Sequence, residues 1–368
     1  MNSEKPLRVI VCGTTFGRVY LRGIERMKDE FELVGILARG SYQAAKCAEE
    51  YNVPLYTDVG QLEDNSVDVA CVVVRSTVVG GRGTDIASDL LMKGIHVIQE
   101  QPVHYDDLLK CLRSAHKSGC CYQINGFYPD IETVRGFITT ARQALRKSEA
   151  VYIDAACSIH VLFPLVDILG QALEGFRPWS FLPAAGSLPG DPFCSLNGQI
   201  KGIPVNLRVQ NQLNPDDPDN NTHLLHRIVI GTDSGSLMMT DSYGLVLWSP
   251  RRHIPHGEDG ILDLYGSNPF LELPVTEPVL PVRNKSFRTE YTGIWPDGIR
   301  RSLHRFRETI LSGERDNRLV QYQLTACRVW QDIGERLGPA RIVSIKETRP
   351  LTLSGLQACT AEDEKESK

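Results

Sequence analysis

Short apolar runs rich in β-branched residues alternate with segments of helical spacing over the first third of the chain. The runs have the length of buried strands, and the segments between them repeat apolar residues at the spacing of one helix face. This alternation predicts an α/β domain in which helices cover both faces of a parallel sheet. The predicted strands are Leu7–Val11, Phe31–Leu37, Val67–Val74, His96–Glu100 and Cys121–Ile124. The predicted helices are Gly17–Lys28, Gln43–Tyr51, Asp85–Lys93 and Tyr105–Ser118.

The pattern changes near residue 127. After a helical stretch at Ile131–Arg146, strand-like runs follow one another without intervening helices, which predicts an α+β domain with a largely antiparallel open sheet. These runs are Ala150–Ala156, Pro204–Gln212, His226–Gly231, Ser236–Asp241 and Leu245–Trp248. Two helices, Pro296–Leu311 and Leu319–Leu337, precede a last apolar run at Arg341–Ile345. The predicted divisions are therefore a domain at 1–126, a domain at 127–345 and a tail at 346–368.

The turn after the first predicted strand carries a glycine pattern. Cys12-Gly13-Thr14-Thr15-Phe16-Gly17 leads from the strand into a helix, and free N–H groups at such a helix start can hold a dinucleotide pyrophosphate. It is a variant of G-x-G-x-x-G in which Gly13 supplies the turn and Gly17 the close packing of helix on strand. Gly13, Thr14, Thr15, Phe16 and Gly17 are therefore candidate cofactor contacts. The alternative is an ordinary strand–turn–helix corner.

The end of the second predicted strand bears on the choice of dinucleotide. Arg39-Gly40-Ser41 stands where enzymes that select NAD place an acid, and no carboxylate follows until Glu49. A guanidinium and a hydroxyl would hydrogen-bond the 2′-phosphate that an acid would repel, so NADPH is the predicted cofactor. The alternative is that Arg39 is solvated in a loop and Ser41 caps the next helix.

A second candidate loop follows Val67–Val74. Arg75, Ser76 and Thr77 would lie beside the cofactor if that strand ends at the same edge of the sheet, and the glycines at 80, 81 and 83 would allow close approach. Alternatively, these glycines make only a flexible loop, with Thr84 as the cap of the following helix.

Composition narrows the function classes. A net charge of −5 and a pI near 6.0 give no electrostatic basis for nucleic-acid binding. No run approaches the ~18 apolar residues of a membrane span, and Met1–Pro6 lacks the apolar core of a signal peptide, so a cytoplasmic protein is expected. The ten cysteines are then expected to be reduced thiols, and without C-x-x-C or H-E-x-x-H no metal site is expected.

Glu100-Gln101-Pro102 ends the fifth predicted strand. A dinucleotide-binding Rossmann domain with this tripeptide and a following sheet domain resembles the Gfo/Idh/MocA oxidoreductase superfamily. The resemblance implies that Glu100 and Gln101 border the nicotinamide and that the second domain pairs in a homodimer. Polyol dehydrogenases of that superfamily carry E-K-P and a later histidine, whereas this chain has Gln101 and Pro164. Sugar oxidation, which needs a base, is therefore disfavoured.

Five stretches in order are similar to the thiazolinyl imine reductases of yersiniabactin and pyochelin siderophore synthesis. They are Cys12–Tyr20, Ala38–Ser41, Val74–Gly81, Val97–Glu100 and Phe127–Pro129. The resemblance implies reduction of a thiazoline C=N by NADPH, with the substrate held on the carrier domain of a nonribosomal peptide synthetase. Two readings stay open beside it: a reductase of sugars or small carbonyl compounds, and a catalytically silent NADPH-binding protein.

The same resemblance implies two proton donors, a histidine after the glutamate and the tyrosine of F-Y-P. Tyr128 matches the second, but Gln101 occupies the place of the first. His104 is a candidate substitute, or it simply begins the helix at Tyr105. His160, which the superfamily pattern directs towards the cleft, is either functional or a core histidine.

The helix at Ile299–Leu311 carries a basic face opposite its apolar stripe of Ile299, Leu303, Phe306 and Ile310. The basic residues are Arg300, Arg301, His304, Arg305 and Arg307. This face could dock an acidic carrier domain, or it could be a surface paired with local acids.

Overall fold

Two large sheets, one in each half of the chain, carry the helices around them. The computed structural model describes residues 5–76, 81–184, 188, 190–217, 219–283, 285–314, 316–344 and 350–357. The predicted fold, a Rossmann-like domain followed by a mainly antiparallel sheet domain, is confirmed.

The first sheet is parallel, with strand order β3-β2-β1-β4-β5-β6 in the described residues. The strands are β1 Leu7–Cys12, β2 Phe31–Leu37, β3 Leu55–Tyr56, β4 Val69–Val72, β5 His96–Glu100 and β6 Tyr122–Asn125. The helices are α1 Gly17–Ile24, α2 Tyr42–Glu50, α3 Gly83–Met92 and α4 Tyr105–Ser118. The strand order reverses between β1 and β4, and such a reversal opens a crevice at the carboxyl ends of the strands.

The second sheet has the order β15-β14-β13-β12-β7-β10-β9-β8, and among these only β7 and β10 run parallel. Its strands are β7 Ala150–Ser158, β8 Trp179–Phe181, β9 Phe193–Ile200, β10 Ile203–Gln210, β12 His226–Thr232, β13 Gly235–Met239, β14 Val246–Pro250 and β15 Glu277–Pro278. A small separate pair joins β11 Gln212–Leu213 to β16 Arg341–Ile342. Along β7, Ile153, Ala155 and Cys157 are buried while Tyr152 and Asp154 face solvent, which is the period of a one-sided sheet.

Helices cover the buried face of the second sheet and reach back onto the first domain. They are α5 Glu132–Leu145, α6 Leu162–Ala172, α7 Phe287–Thr289, α8 Trp295–Ser312 and α9 Asn317–Leu337. Helix α8 lies so close to α1 that a Cβ built on Gly23 would be 3.0 Å from Ile299 Cγ2. Helix α9 lies against β6, where the Gln323 amide donates to the Ile124 carbonyl at 2.9 Å. The two domains therefore share packed surfaces.

The basic residues of α8 have partners within the chain. His304 Nδ1 lies 2.6 Å from Glu30 Oε2, and Arg305 makes a two-pronged ion pair with the buried carboxylate of Asp130. Arg301 donates to the Asp130 carbonyl at 3.1 Å. The remaining two pair with acids on the same helix, Arg300 with Asp297 and Arg307 with Glu308. These ion pairs are what the alternative for this helix, a surface paired with local acids, predicts; docking of a carrier domain on this face stays a prediction.

Candidate active site

The turn after β1 has room for glycine only. Gly13 has φ +97°, and a Cβ there would lie 2.5 Å from the Val73 carbonyl oxygen beside β4. At Gly17 a Cβ would lie 3.2 Å from Val11 Cγ1, so the start of α1 packs closely on the strand that feeds it. Both roles predicted from the glycine pattern are present, and they bring the backbone to the crevice between β1 and β4.

Helix α1 begins at this crevice without a side-chain cap. Phe16 is its N-cap residue and makes no side-chain capping hydrogen bond, and while the Arg18 and Val19 N–H groups bond to the Thr15 and Phe16 carbonyls, none of the described hydrogen bonds uses the Gly17 N–H, which is where a pyrophosphate would bind. Thr14 is partly buried and Thr15 is exposed in the same turn. The Phe16 ring packs edge-on against Phe127, with ring centroids 5.4 Å apart. The turn is thereby joined to the substrate side of the molecule.

The end of β2 presents an exposed guanidinium. Arg39 is exposed and has no ion pair with any other described residue, and Gly40 follows in the left-handed region at φ +76°. Ser41 caps α2 by accepting from the Ala44 N–H at 3.2 Å, as the alternative for that residue predicts. Its hydroxyl hydrogen is still available as a donor. The Arg39 guanidinium therefore lies at the end of β2, where a 2′-phosphate would bind, and no described ion pair occupies it.

The loop after β4 closes tightly over its own backbone. The Arg75 carbonyl accepts from the Gly83 N–H at 2.8 Å, and a Cβ on Gly81 would lie 2.1 Å from that carbonyl oxygen. Gly81 and Gly83 thus lie against the backbone of their own loop, where a side chain would not fit. Arg82, not Thr84, is the N-cap residue of α3. Ser76 is buried and donates to the Pro102 carbonyl at 2.8 Å, which ties this loop to the end of β5. Thr77 lies outside the described residues.

Glu100 ends β5 with its carboxyl enclosed, although part of the residue remains exposed. Both the Tyr20 hydroxyl and the Asn125 amide donate to its Oε2. Burial raises the pKa of Glu100 to about 8 against the opposing effect of these two hydrogen bonds. Gln101 follows, joined to Pro102 by a cis peptide bond, and its buried Oε1 has no hydrogen-bond partner in the described structure. An unpaired buried acceptor at this edge is suited to a donor from a bound ligand.

A strained turn positions the predicted catalytic tyrosine. Phe127 has φ 58° and ψ −62°, and the Tyr128 N–H donates back to the Gly126 carbonyl at 2.7 Å, which defines a γ-turn of the rare positive-φ form. The Asn125 side chain supports the turn by accepting from the Phe127 N–H at 3.1 Å. Such a conformation costs about 1–3 kcal/mol and persists where its surroundings fix it.

Tyr128 lies edge-on to a histidine that sequence reasoning missed. The His226 ring centroid is 4.7 Å from that of Tyr128. His226 is buried, bonded through Nε2 to the Val161 carbonyl and through Nδ1 to the Ser242 hydroxyl, and burial lowers its pKa to about 4. It is therefore neutral at physiological pH and holds the Tyr128 ring rather than supplying a proton.

The other candidate histidines lie elsewhere. His104 is the N-cap residue of α4, with Nδ1 accepting from the Asp106 N–H at 3.4 Å, and no described contact joins it to Gln101 or Tyr128. The prediction that it begins the helix is confirmed. His160 is exposed before α6 and lies 3.3 Å from the Thr222 hydroxyl. Pro164 is buried inside α6.

Three polar side chains that the sequence did not single out lie beside Tyr128. They are Tyr243 after β13, Glu290 after α7 and Trp295 at the start of α8. Burial raises the pKa of both Tyr128 and Tyr243, and the nearby charge of Glu290 adds to the rise at each. No motif connects residues so far apart in the chain, so only the fold reveals them.

Two family models match the chain in order. The oxidoreductase family with an NAD-binding Rossmann fold, Gfo/Idh/MocA, matches residues 7–126. The C-terminal domain of Irp3-like thiazolinyl imine reductases matches residues 148–249. Together the two matches support the predicted membership of the Gfo/Idh/MocA superfamily of oxidoreductases, with a nicotinamide cofactor. The second match is to the family that the sequence resemblance predicts.

Solved structures share the whole two-domain fold. A 3-ketoreductase from Actinomadura kijaniata with bound NADP aligns with a TM-score of 0.65 and 14% identity, over 92% of this chain and 100% of that one. Biliverdin reductase from Synechocystis with NADP+ aligns with a TM-score of 0.60 and 13% identity, over 89% and 98%. UDP-N-acetylglucosamine 3-dehydrogenase from Acidithiobacillus ferrooxidans gives 0.61 and 12%, over 90% and 97%. At these identities the likeness establishes the fold alone.

A comparison with curated protein sequences finds no significant match. Within the described ranges, none of the helices has the length and apolar character to cross a membrane. The same residues contain no cluster of three or more histidine, cysteine or acidic side chains suited to a metal ion.

Proposed function

We propose that the protein is an NADPH-dependent reductase that converts the C=N bond of a thiazoline ring to a thiazolidine on a carrier-bound siderophore intermediate. The observation that carries the proposal is the match of residues 148–249 to the C-terminal domain of thiazolinyl imine reductases, since this domain faces the substrate. The loss of the polyol dehydrogenase base, with Gln101 and Pro164 in its two positions, supports it further. Imine reduction needs hydride on carbon and a proton on nitrogen, but no base.

The residues of the first domain suit this cofactor. The uncapped start of α1 and the close approach at Gly13 fit a pyrophosphate, and the unpaired Arg39 fits a 2′-phosphate that NADH lacks. When bound, the reduced nicotinamide supplies hydride to the imine carbon. Glu100 and Gln101 border that end of the crevice.

The second domain would hold the ring. We expect Tyr128, which the γ-turn and His226 hold in place, to meet the substrate beside the nicotinamide. Phe16, Phe127 and Trp295 form an apolar wall beside it, with ring centroids 5.4 to 5.9 Å apart. Holding the reacting atoms about 3–3.5 Å apart in a site without water can supply several kcal/mol of the barrier.

The proposal includes the two macromolecular partners that the resemblance implies. One is the carrier domain of a peptide synthetase, which delivers the substrate, and the other is a second copy of this chain, paired through the second sheet. The exposed side of that sheet, with Tyr152, Asp154 and Arg208, is the surface on which such pairing would occur. A cytoplasmic location accords with a cofactor and a partner that are both found there.

The test is a direct assay. We expect the purified chain to oxidise NADPH when given a 2-aryl-thiazoline thioester, and mass spectrometry to show a product two hydrogens heavier. A panel of polyols with NADP+ serves as the control and should give no turnover. Robust polyol oxidation with an inert thiazoline would overturn the proposal in favour of the sugar or carbonyl alternative. Tight NADPH binding without turnover of either would favour the silent binding protein.

A further inference from the structure

Beside Tyr128, three side chains present polar groups that the protein itself does not pair. The Tyr243 hydroxyl and the Trp295 indole nitrogen are buried and have no hydrogen-bond partner within the described ranges. Glu290 is 8% exposed, and none of the hydrogen bonds in the described structure reaches its carboxyl. The indole N–H of Trp295 lies near enough to the Tyr243 hydroxyl and the Glu290 carboxyl to lower the pKa of both groups. It does not meet the geometric criteria for a hydrogen bond to either of them. Unpaired buried polar groups cost free energy unless a ligand pairs them.

A break in helix geometry brings these groups together. Residues Glu290–Ile294, between α7 and α8, form a π-helical turn in which the Trp295 N–H donates to the Glu290 carbonyl. In a π-turn, residues five apart lie over one another, so the carboxyl of Glu290 and the indole of Trp295 share one face of the helix. π-Turns are uncommon and occur frequently at functional sites.

The shared face is directed at the proposed substrate position. The Trp295 ring contacts Phe16 of the dinucleotide turn at 5.6 Å and Phe127 at 5.9 Å between centroids. Phe127 in turn contacts Tyr128 edge-on at 5.2 Å. The Trp295 ring is therefore joined through Phe127 to Tyr128 and directly to the dinucleotide turn at Phe16.

We propose that Glu290, which shares a helix face with Trp295 and lies beside Tyr243, is the catalytic acid that protonates the ring nitrogen, in place of the family histidine that Gln101 replaces. This inference rests on the proposed function. As hydride adds to the imine carbon, the C=N π electrons move to nitrogen, which takes the proton from the Glu290 carboxyl. The reaction consumes NADPH and one proton, leaves NADP+ and the thiazolidine, and returns Glu290 as a carboxylate that solvent reprotonates.

The environment of Glu290 suits this role. Burial and the nearby charge of Asp241 raise its pKa to about 7, while the Trp295 N–H and Lys285 oppose the rise. The other ionisable groups that interact with it are Tyr128, Tyr243 and Tyr291, all neutral at this pH because burial raises their pKa values. A carboxyl that titrates near 7 is protonated often enough to donate and acidic enough to do so readily.

The two alternative donors are less suited. The pKa of Tyr128 is raised by burial and by the charges of Glu100, Asp241 and Glu290, which makes it a weaker acid than a free phenol. Glu100 already accepts from Tyr20 and Asn125 through the same oxygen, so its carboxyl is held by the protein.

Glu290→Gln tests the assignment, because it keeps the size of the side chain and removes the acidic proton. With a thiazoline substrate we expect kcat to fall by about 10²–10⁴-fold. The rate of the unaltered enzyme should decline as pH rises through about 7, and this decline should vanish in the variant. Tyr128→Phe should lose less than about tenfold and keep the pH-dependent decline, since another group supplies the proton.

Controls separate chemistry from structure. Glu272→Gln, at an exposed glutamate, should match the unaltered enzyme, and NADPH affinity measured by fluorescence should be unchanged in both glutamine variants. If Glu290→Gln does not fold, Glu290→Asp keeps the carboxyl and should show a lowered kcat with the pH decline retained. A kcat within threefold and an unaltered pH profile in Glu290→Gln would overturn the assignment while leaving the reductase function standing. An unaltered enzyme that reduces no thiazoline would instead refute the function.

Discussion

At the scale of single residues, we expect Arg39 to select the cofactor that enters the crevice. Arg39 stands exposed at the end of β2 without a partner among the described residues, while the neighbouring Ser41 is committed on its acceptor side to capping α2. The guanidinium is therefore the main group that can distinguish a 2′-phosphate from a 2′-hydroxyl. Its planar fork can bind two phosphate oxygens at once.

Arg39→Ala should weaken NADPH binding by about 1.5–3 kcal/mol and leave NADH binding nearly unchanged. The measurement is fluorescence titration with each dinucleotide. Arg113→Ala, which removes an equal charge from an exposed position on α4, should alter neither affinity. Equal losses for both dinucleotides in Arg39→Ala would mean that the residue shapes the loop and does not select the phosphate.

The sequence predicted the glycine turn of the first domain and missed the side chains that gather around Tyr128. Gly13 and Gly17 are found as expected because a glycine turn is encoded by adjacent residues and by backbone sterics. His226, Tyr243 and Glu290 come from separate elements of the second domain, so their proximity depends on tertiary packing that no local spacing records. His104 illustrates the reverse case, since its local role as a helix cap was readable from the sequence.

At the scale of elements, α8 joins the domains through both faces. Ile299, Leu303 and Phe306 are fully buried, as their spacing predicts, while the basic side chains of the opposite face pair with local acids. Of these pairs, we expect the one between Arg305 and Asp130 to contribute most to stability, because the Asp130 side chain is only 5% exposed. Asp130 also follows closely on the γ-turn at Phe127.

Arg305→Glu should destabilise the fold by about 2–4 kcal/mol, because it leaves two carboxylates facing each other at a buried position; solvent around the arginine limits the loss. The thermal midpoint of unfolding measures the effect. Arg300→Glu changes the net charge equally on the same helix, where the pair with Asp297 spans 3.8 Å at the surface, and should shift the midpoint little. Equal shifts in both variants would mean that net charge, and not the buried pair, governs the result.

Helices and strands with strong hydrophobic periodicity were predicted correctly, and strands that depend on tertiary pairing were missed. Strand β2 and helix α4 have the predicted bounds, since β-branched runs and amphipathic spacing identify them. Strands β8 and β9 were not predicted: β8 has only three residues, and β9 mixes polar residues with glycine, so neither shows strong alternation. Strand β9 pairs with β10 and strand β8 pairs with β9, and this pairing supplies the stabilisation that their local sequence lacks.

At the scale of the whole molecule, the two domains are tied by shared packing. Helix α9 follows the second sheet in the chain, yet Gln323 bonds to the backbone of Ile124 in the edge strand β6, and Cys327 lies in the core of the first domain. By bonding to both the N–H and the carbonyl of Ile124, the Gln323 side chain replaces two of the hydrogen bonds that a neighbouring strand would make.

We therefore expect a single cooperative transition in calorimetry of the full chain. NADPH at about 100 times its dissociation constant should raise the free energy of unfolding by about 2.7 kcal/mol, and the whole transition should move to higher temperature. Two separate transitions, of which NADPH moves only one, would show that the domains unfold independently.

The π-turn between α7 and α8 has a consequence for how this site is encoded. A π-turn accommodates one residue more than an α-helical turn, and each residue of an α-helix rotates the chain by about 100°. In a regular α-helix the five residues from Glu290 to Trp295 would turn the carboxyl about 140° away from the indole, whereas deleting one of the residues between them would leave the pair four apart and again on one face. The acidic face thus requires that the number of residues match the helix geometry: a frame-preserving loss of one codon here would remove the π-turn and keep the carboxyl and the indole together.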